Sequence, residues 1–145
     1  MEEISRRIKE ASLFIKDRLK SVRPSTAIVL GSGFSSWPDQ LRCLFSIPYR
    51  DIPGFPTTSV VGHKGQLVVS ELAGEHIIIM QGRFHYYEGH DMASISIPIR
   101  VFTELDIGTV ILTNAAGGIN PNLKPGDLLI INDHINLVQN NPLIG

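Results

Sequence analysis

The sequence predicts an α/β domain built on a mixed, twisted β-sheet flanked by helices. Three observations carry this. Short apolar runs of strand length recur along the chain, at Thr26–Leu30, Ile77–Met80 and Thr109–Thr113. A segment of helical period opens the chain and a second lies between the later runs. Two of the runs end directly in small-residue loops, Gly31-Ser32-Gly33 and Asn114-Ala115-Ala116-Gly117-Gly118, the pattern of strands interleaved with helices rather than of an all-β or all-α chain.

Taken in order, Ile4, Ile8, Ala11, Ile15 and Leu19 recur at helical spacing with Glu2, Arg6, Lys9, Lys16 and Lys20 largely between them, which predicts an amphipathic helix ended by Pro24. Thr26–Leu30 follows as a fully buried strand. Between Trp37 and Pro56, Pro38, Pro48, Pro53 and Pro56 predict irregular chain with at most one short strand near Leu44–Ile47. Gln66–Leu72 and His76–Met80 flank Ala73-Gly74-Glu75 and predict an antiparallel hairpin. Met92–Leu105 predicts a helix ending near Gly108, with Pro98 implying either a kink or a later start. Thr109–Thr113 is expected as a buried strand, and Leu128–Asn132 as a last strand after a turn at Lys124-Pro125-Gly126.

Length and charge narrow the function classes. The 145 residues suffice for one domain with a sizeable core. Charged residues make up 19%, below the roughly 25% of an average soluble protein, which argues against disorder. Thirteen bases against fourteen acids leave a net charge of −1, so no broad field is available to hold DNA or RNA, and any anion site is local. The apolar runs are far too short for a membrane span. The single Cys43 excludes an internal disulfide framework, and the opening MEEISRRIKE lacks the apolar core of a secretory signal. A cytoplasmic location is the expectation.

In open α/β sheets ligands gather beyond the carboxyl ends of strands, so the Gly31 and Asn114 loops are the first candidates. Gly31-Ser32-Gly33 presents backbone N–H groups and a hydroxyl to an anion, although a tight turn uses the same residues. It is not a dinucleotide fingerprint, because Ser36 occupies the place of the third glycine and Asp51 lies in the Pro-rich segment. Gly82-Arg83-Phe84-His85-Tyr86-Tyr87-Glu88-Gly89-His90 is denser. Arg83 supplies a planar guanidinium suited to phosphate, His85 points the same way in an extended loop, Tyr87 continues the alternation, and Glu88 is placed to orient a neighbouring base. A structural Arg–Glu pair with packed aromatics has the same composition. His63, between Gly62 and Lys64-Gly65, suits a lid over a small ligand and equally a plain exposed loop; His134 reads as a strand-end histidine. No pair of histidines or acids sits at i, i+4 metal-ligand spacing on a predicted helix, so no metal is expected.

Five motifs in order then resemble one family. GSGF after a buried strand, VVGHKG at 60–65, MQGRFHYYEGH at 80–90, TNAAGGINP at 113–121 and GDLLIINDHINL followed by NPLIG are similar to trimeric purine nucleoside phosphorylase. Methylthioadenosine phosphorylase shares the fold and loop plan, but RFHYYEGH and NAAGG look like the nucleoside enzyme. The resemblance runs from about Pro24 to the last residue and matches about the first half of the family's domain. It implies that residues 1–145 are the N-terminal part of a single nucleoside-phosphorylase-like domain, a truncated form with little or no turnover alone; Asn140–Gly145 also reads as mid-loop sequence.

What the resemblance implies for individual residues is specific. Phosphate is held by Ser32, Arg83, His85 and the Ala115 N–H, with His63 as the loop histidine near it. Tyr87 and His85 contact the ribose, Glu88 braces the network and with His85 forms the catalytic pair, and Ala115, Ala116 and Gly117 line the base pocket. The implied partners are a purine nucleoside and inorganic phosphate, the latter as co-substrate with no metal or organic cofactor, and the implied assembly is a homotrimer. The alternatives are a non-catalytic module that binds phosphate or a sugar phosphate or assembles with a partner chain, and a relative of methylthioadenosine phosphorylase.

Overall fold

A computed structural model describes residues 2–56, 64–138 and 140–142. Helix α1 spans Glu2–Leu19, with Glu2 and Glu3 in its first turn and Lys16 and Arg18 in its last, charges that complement the helix dipole. Its buried residues Ile8, Ala11, Ser12, Ile15 and Leu19 form one stripe, as the spacing predicts. The helix stops before Pro24, because Lys20 already takes a left-handed conformation.

Strand β1, Thr26–Val29, is followed by a 3-10 turn at Trp37–Gln40 and by β2, Arg42–Pro48. β2 is longer than the short strand expected. Its proline falls at the strand end, on an edge strand where a missing donor is tolerated. Strands β3, Gln66–Leu72, and β4, Glu75–Gln81, form the expected hairpin in full antiparallel register from Gln66↔Gln81 to Leu72↔Glu75. Helix α2, Met92–Glu104, begins at Asp91, whose carboxylate accepts the Ser94 N–H at 2.6 Å; that bond holds the Asp91 carboxyl below its ordinary range. Pro98 lies inside α2, so the helix neither starts late nor ends there. Strand β5 is Thr109–Leu112.

The sheet order is β2-β3-β4-β1-β5, with β1 parallel to both β4 and β5 and the β2-β3-β4 meander antiparallel. Alternation along each strand divides the apolar side chains between two faces. Ala27, Val29, Leu67, Val69, Ile78 and Met80 join a large core with Ile8, Ile15 and Leu19 of α1 and Ile97, Val101 and Phe102 of α2. Ile28, Leu30, Val68, Ile77 and Ile79 face the other way, toward Phe34, Trp37 and Leu41. Both helices therefore lie on one face, and the loop after β1 covers part of the other.

Two expectations are corrected. Thr109–Thr113 is not a buried strand: β5 is at the sheet edge, paired on one side by β1, and Leu112 is 68% exposed. Leu128–Asn132 is not a strand. The turn at Lys124–Asp127 is present, with Asp127 N–H donating to the Lys124 carbonyl, but the apolar run after it pairs with no described strand, and Ile130 is 93% exposed. An apolar run becomes a strand only where a neighbour satisfies its backbone.

The hairpin turn is a local weak point. Ala73 and Gly74 both have positive φ, 52° and 84°, the twist-matched geometry of a two-residue hairpin, which glycine adopts freely and alanine does not. Replacing Ala73 by asparagine is expected to raise stability by about 0.5–1 kcal/mol, read as a higher urea midpoint at unchanged slope; an unchanged or lower midpoint would count against this turn geometry.

Candidate functional site

Parallel β1, β4 and β5 end on the same side of the sheet, and their following loops meet at Thr113. Its backbone N–H donates to the Val29 carbonyl at 3.0 Å, continuing the pairing of β1 with β5. Its hydroxyl donates to the same carbonyl at 3.2 Å and accepts the Gly31 N–H at 2.9 Å. Its own carbonyl accepts from Arg83 Nη1 at 3.0 Å. The turn carrying Ser32, the guanidinium of Arg83 and the chain leading into Asn114-Ala115 are thus joined through one residue. Gly31 makes the approach possible: a Cβ there would overlap the Thr113 carbonyl oxygen and lie 2.9 Å from the Asn114 Cα.

Arg83 is half-buried, with one arm of its guanidinium on Thr113. The fork geometry leaves it able to offer its other N–H groups to an oxyanion. His85 is half-buried and stacks on Tyr87, with ring centroids 4.6 Å apart at 17°. The Glu88 carboxylate accepts the His85 backbone N–H at 2.9 Å, while the Glu88 N–H donates to the His85 carbonyl at 3.1 Å. Glu88 thereby closes the 3-10 turn Tyr86–Glu88 onto His85, which fixes the loop two residues beyond Arg83.

The Arg83 loop is anchored from beneath by a residue with no signal in the sequence. Tyr49 is buried at the end of β2, and its hydroxyl donates to the Gly82 carbonyl at 2.7 Å. Its ring contacts Phe84 at 5.2 Å and Phe55 at 5.8 Å, and Phe84 meets His90 edge-on at 6.0 Å. Gly82 and Phe84, on either side of Arg83, are therefore both held by one tyrosine. Burial holds the Tyr49 phenol well above its ordinary value of 10.0.

The structure brings Ser32, Arg83, His85, Glu88 and Ala115 to one end of the sheet. Ser32, Tyr87, Ala115, Ala116 and Gly117 are exposed, Tyr87 to 75%. An open cavity of about 390 Å³ lies beside the loop, lined by Tyr86, Gly89, His90, Asp91, Met92 and Asn140 rather than by the expected phosphate residues. His63 falls outside the described residues. His134 is exposed and not at a strand end. Among the described residues no cluster of His, Cys, Asp or Glu is arranged to hold a metal ion, and no helix is long and apolar enough to cross a membrane.

The family model for the phosphorylase superfamily matches residues 25–145. Purine nucleoside phosphorylase 1 of Geobacillus stearothermophilus is 46% identical over 138 residues, covering 95% of this chain and 50% of that protein. Its counterpart in Bacillus subtilis (strain 168) is 47% identical over 139 residues, covering 96% of this chain and 51% of that protein. Isoform 2 of purine nucleoside phosphorylase from Schistosoma mansoni, solved in complex with cytosine and ribose-1-phosphate, matches with a TM-score of 0.74 at 42% identity, over 84% of this chain and 42% of that one. The chain spans about half the length of the curated relatives it matches.

Two outcomes test this geometry. Tyr49→Phe leaves the Gly82 carbonyl without its buried donor and is expected to cost about 1–3 kcal/mol. A phenol whose folded value is raised contributes stability that is present below its unfolded value of 10.0 and lost as pH rises beyond it. Urea melts of the wild type should therefore weaken above pH 10.0 more steeply than those of Tyr49→Phe. Gly31→Ala forces the β1 and β5 loops apart and is expected to lower stability by about 1–3 kcal/mol; a melt matching the wild type would contradict the contact at Thr113.

Proposed function

The chain belongs to the phosphorylase superfamily, and on that footing we propose that it carries the phosphate- and ribose-binding part of a purine nucleoside phosphorylase. The observation that supports the reading is the meeting of the Gly31, Arg83 and Asn114 turns at Thr113, which gathers a guanidinium, a hydroxyl and backbone amides at the carboxyl ends of parallel strands.

In this reading inorganic phosphate is the nucleophile. Arg83, His85, the Ser32 hydroxyl and the Ala115 N–H hold the dianion beneath C1′ of the nucleoside, with His63 as a further phosphate-site residue. As the C1′–N bond lengthens, the sugar becomes cationic and the purine gathers the bonding electrons. The held dianion stabilises that cation by charge and proximity, then forms the new C1′–O bond of ribose 1-phosphate. The purine leaves as an anion and takes up a proton. Tyr87 and His85 contact the ribose, and Ala115, Ala116 and Gly117 line the base side. Glu88 acts through the His85 backbone, keeping the imidazole in place while Arg83 binds. Phosphate is co-substrate, no metal or organic cofactor takes part, and the protein works in the cytoplasm as a homotrimer. Residues 1–145 form the N-terminal part of the single catalytic domain.

The exposure of Tyr87 and of Ala115–Gly117 favours a second reading, in which this chain by itself binds phosphate or a sugar phosphate without turnover. Calorimetric titration with phosphate, followed by incubation with inosine and phosphate, separates the two. Binding that Arg83→Ala weakens by roughly 10- to 100-fold, the loss of a charged hydrogen-bond donor, is expected under both. Phosphate-dependent release of hypoxanthine supports the enzyme reading, and binding without release supports the second. Absence of phosphate binding by the wild type would overturn both.

A further inference from the structure

Gln81 closes the apolar run Ile77–Met80 and is only 1% exposed. A buried amide is costly unless both its ends are bonded, and both are. Its Nε2 donates to the Ser35 carbonyl at 2.6 Å, and its Oε1 accepts from Gln66 Nε2 at 2.8 Å. The orientation is forced, because the Ser35 carbonyl can only accept and so must face the NH₂ end. Ser35 belongs to the turn that carries Ser32, where Ser32, Gly33, Ser35 and Ser36 are all exposed and Phe34 is the one partly buried anchor. Gln81 is also two residues before Arg83, and its backbone carbonyl accepts the Gly65 N–H at 3.0 Å.

One side chain thus connects the turn bearing Ser32 to the strand bearing Arg83, on the face of the sheet opposite Tyr49. We infer that Gln81 is a positioning residue that keeps the Ser32 turn in register with Arg83 and so sets how tightly the two together grip an oxyanion. The inference rests on the reading of this end of the sheet as a phosphate site. Thr113 joins the same two elements through the Gly31 backbone; Gln81 holds the far side of the turn, so that Ser32 lies between two fixed points.

The test compares Gln81→Glu, Gln81→Met and, as a control, Ile78→Val, a fully buried core change on the other face of the same strand. Gln81→Glu preserves size and the acceptor for Gln66 but sets an acceptor against the Ser35 carbonyl; Gln81→Met removes both bonds and keeps a similar shape. Two readouts are taken on the 145-residue chain: phosphate affinity by calorimetry, and the amide resonances of Ser32 and Gly33 without phosphate. Both Gln81 variants are expected to weaken phosphate binding about tenfold, the effect of one lost buried partner, and to shift the Ser32 and Gly33 amides. Ile78→Val is expected to lower the melting temperature while leaving both readouts unchanged. Unmoved Ser32 and Gly33 resonances in the Gln81 variants, or an equal loss of affinity in Ile78→Val, would overturn the positioning role. A wild type that binds no phosphate would instead sink the phosphate-site reading, and the resonances alone would then decide whether Gln81 holds the turn.

Discussion

Thr113 is the residue that ties the loops at the carboxyl end of the sheet together. With its N–H and hydroxyl on Val29, its hydroxyl on the Gly31 N–H and its carbonyl on Arg83, it links the carboxyl ends of three parallel strands. Parallel pairing alone brings such ends to one side of a sheet; it does not decide how close their loops come. That distance is set by Gly31, whose missing side chain lets the first loop lie against Thr113. Groups contributed by turns far apart in sequence then become neighbours through these hydrogen bonds.

Support for this convergence comes from both faces of β4. On the helix-covered face, Tyr49 and its aromatic neighbours fix Gly82 and Phe84 around Arg83. On the other, the Gln81 amide reaches the Ser35 carbonyl. A long arginine side chain loses considerable rotational freedom when it is held, and a rigid strand end with a bond to Thr113 means that part of this cost is met by folding. The exposed loops thus display their polar groups from a scaffold whose apolar side chains, such as Ile78 and Val101, are fully buried.

Much of the sheet is legible from periodicity. Thr26–Val29 and the β3–β4 hairpin follow from β-branched runs and a Gly-containing turn, and α1 from its five apolar positions. The misreadings share one cause: an apolar run records a preference for burial but not whether a neighbouring strand exists to receive it. Val110–Leu112 and Leu128–Ile131 look alike in sequence, yet one pairs with β1 at the sheet edge and the other pairs with no described strand. At the site, Arg83, His85 and Glu88 stand out because charged and aromatic residues crowd one loop after an apolar strand. Tyr49 does not, since it lies in a Pro-rich stretch and acts through long-range contacts. Gln81 left a faint trace, a polar residue directly after the apolar run Ile77–Met80.

Whether this end of the sheet binds an oxyanion in the arrangement that Thr113 holds is decided by a crystal structure of the chain soaked in phosphate or sulfate. One bound oxyanion is expected within hydrogen-bonding distance of the Arg83 guanidinium and the Ser32 turn, with the Thr113 contacts intact. An unoccupied site, with Arg83 turned away from Thr113 and the Gly31 loop separated from it, would show that no oxyanion site is formed there.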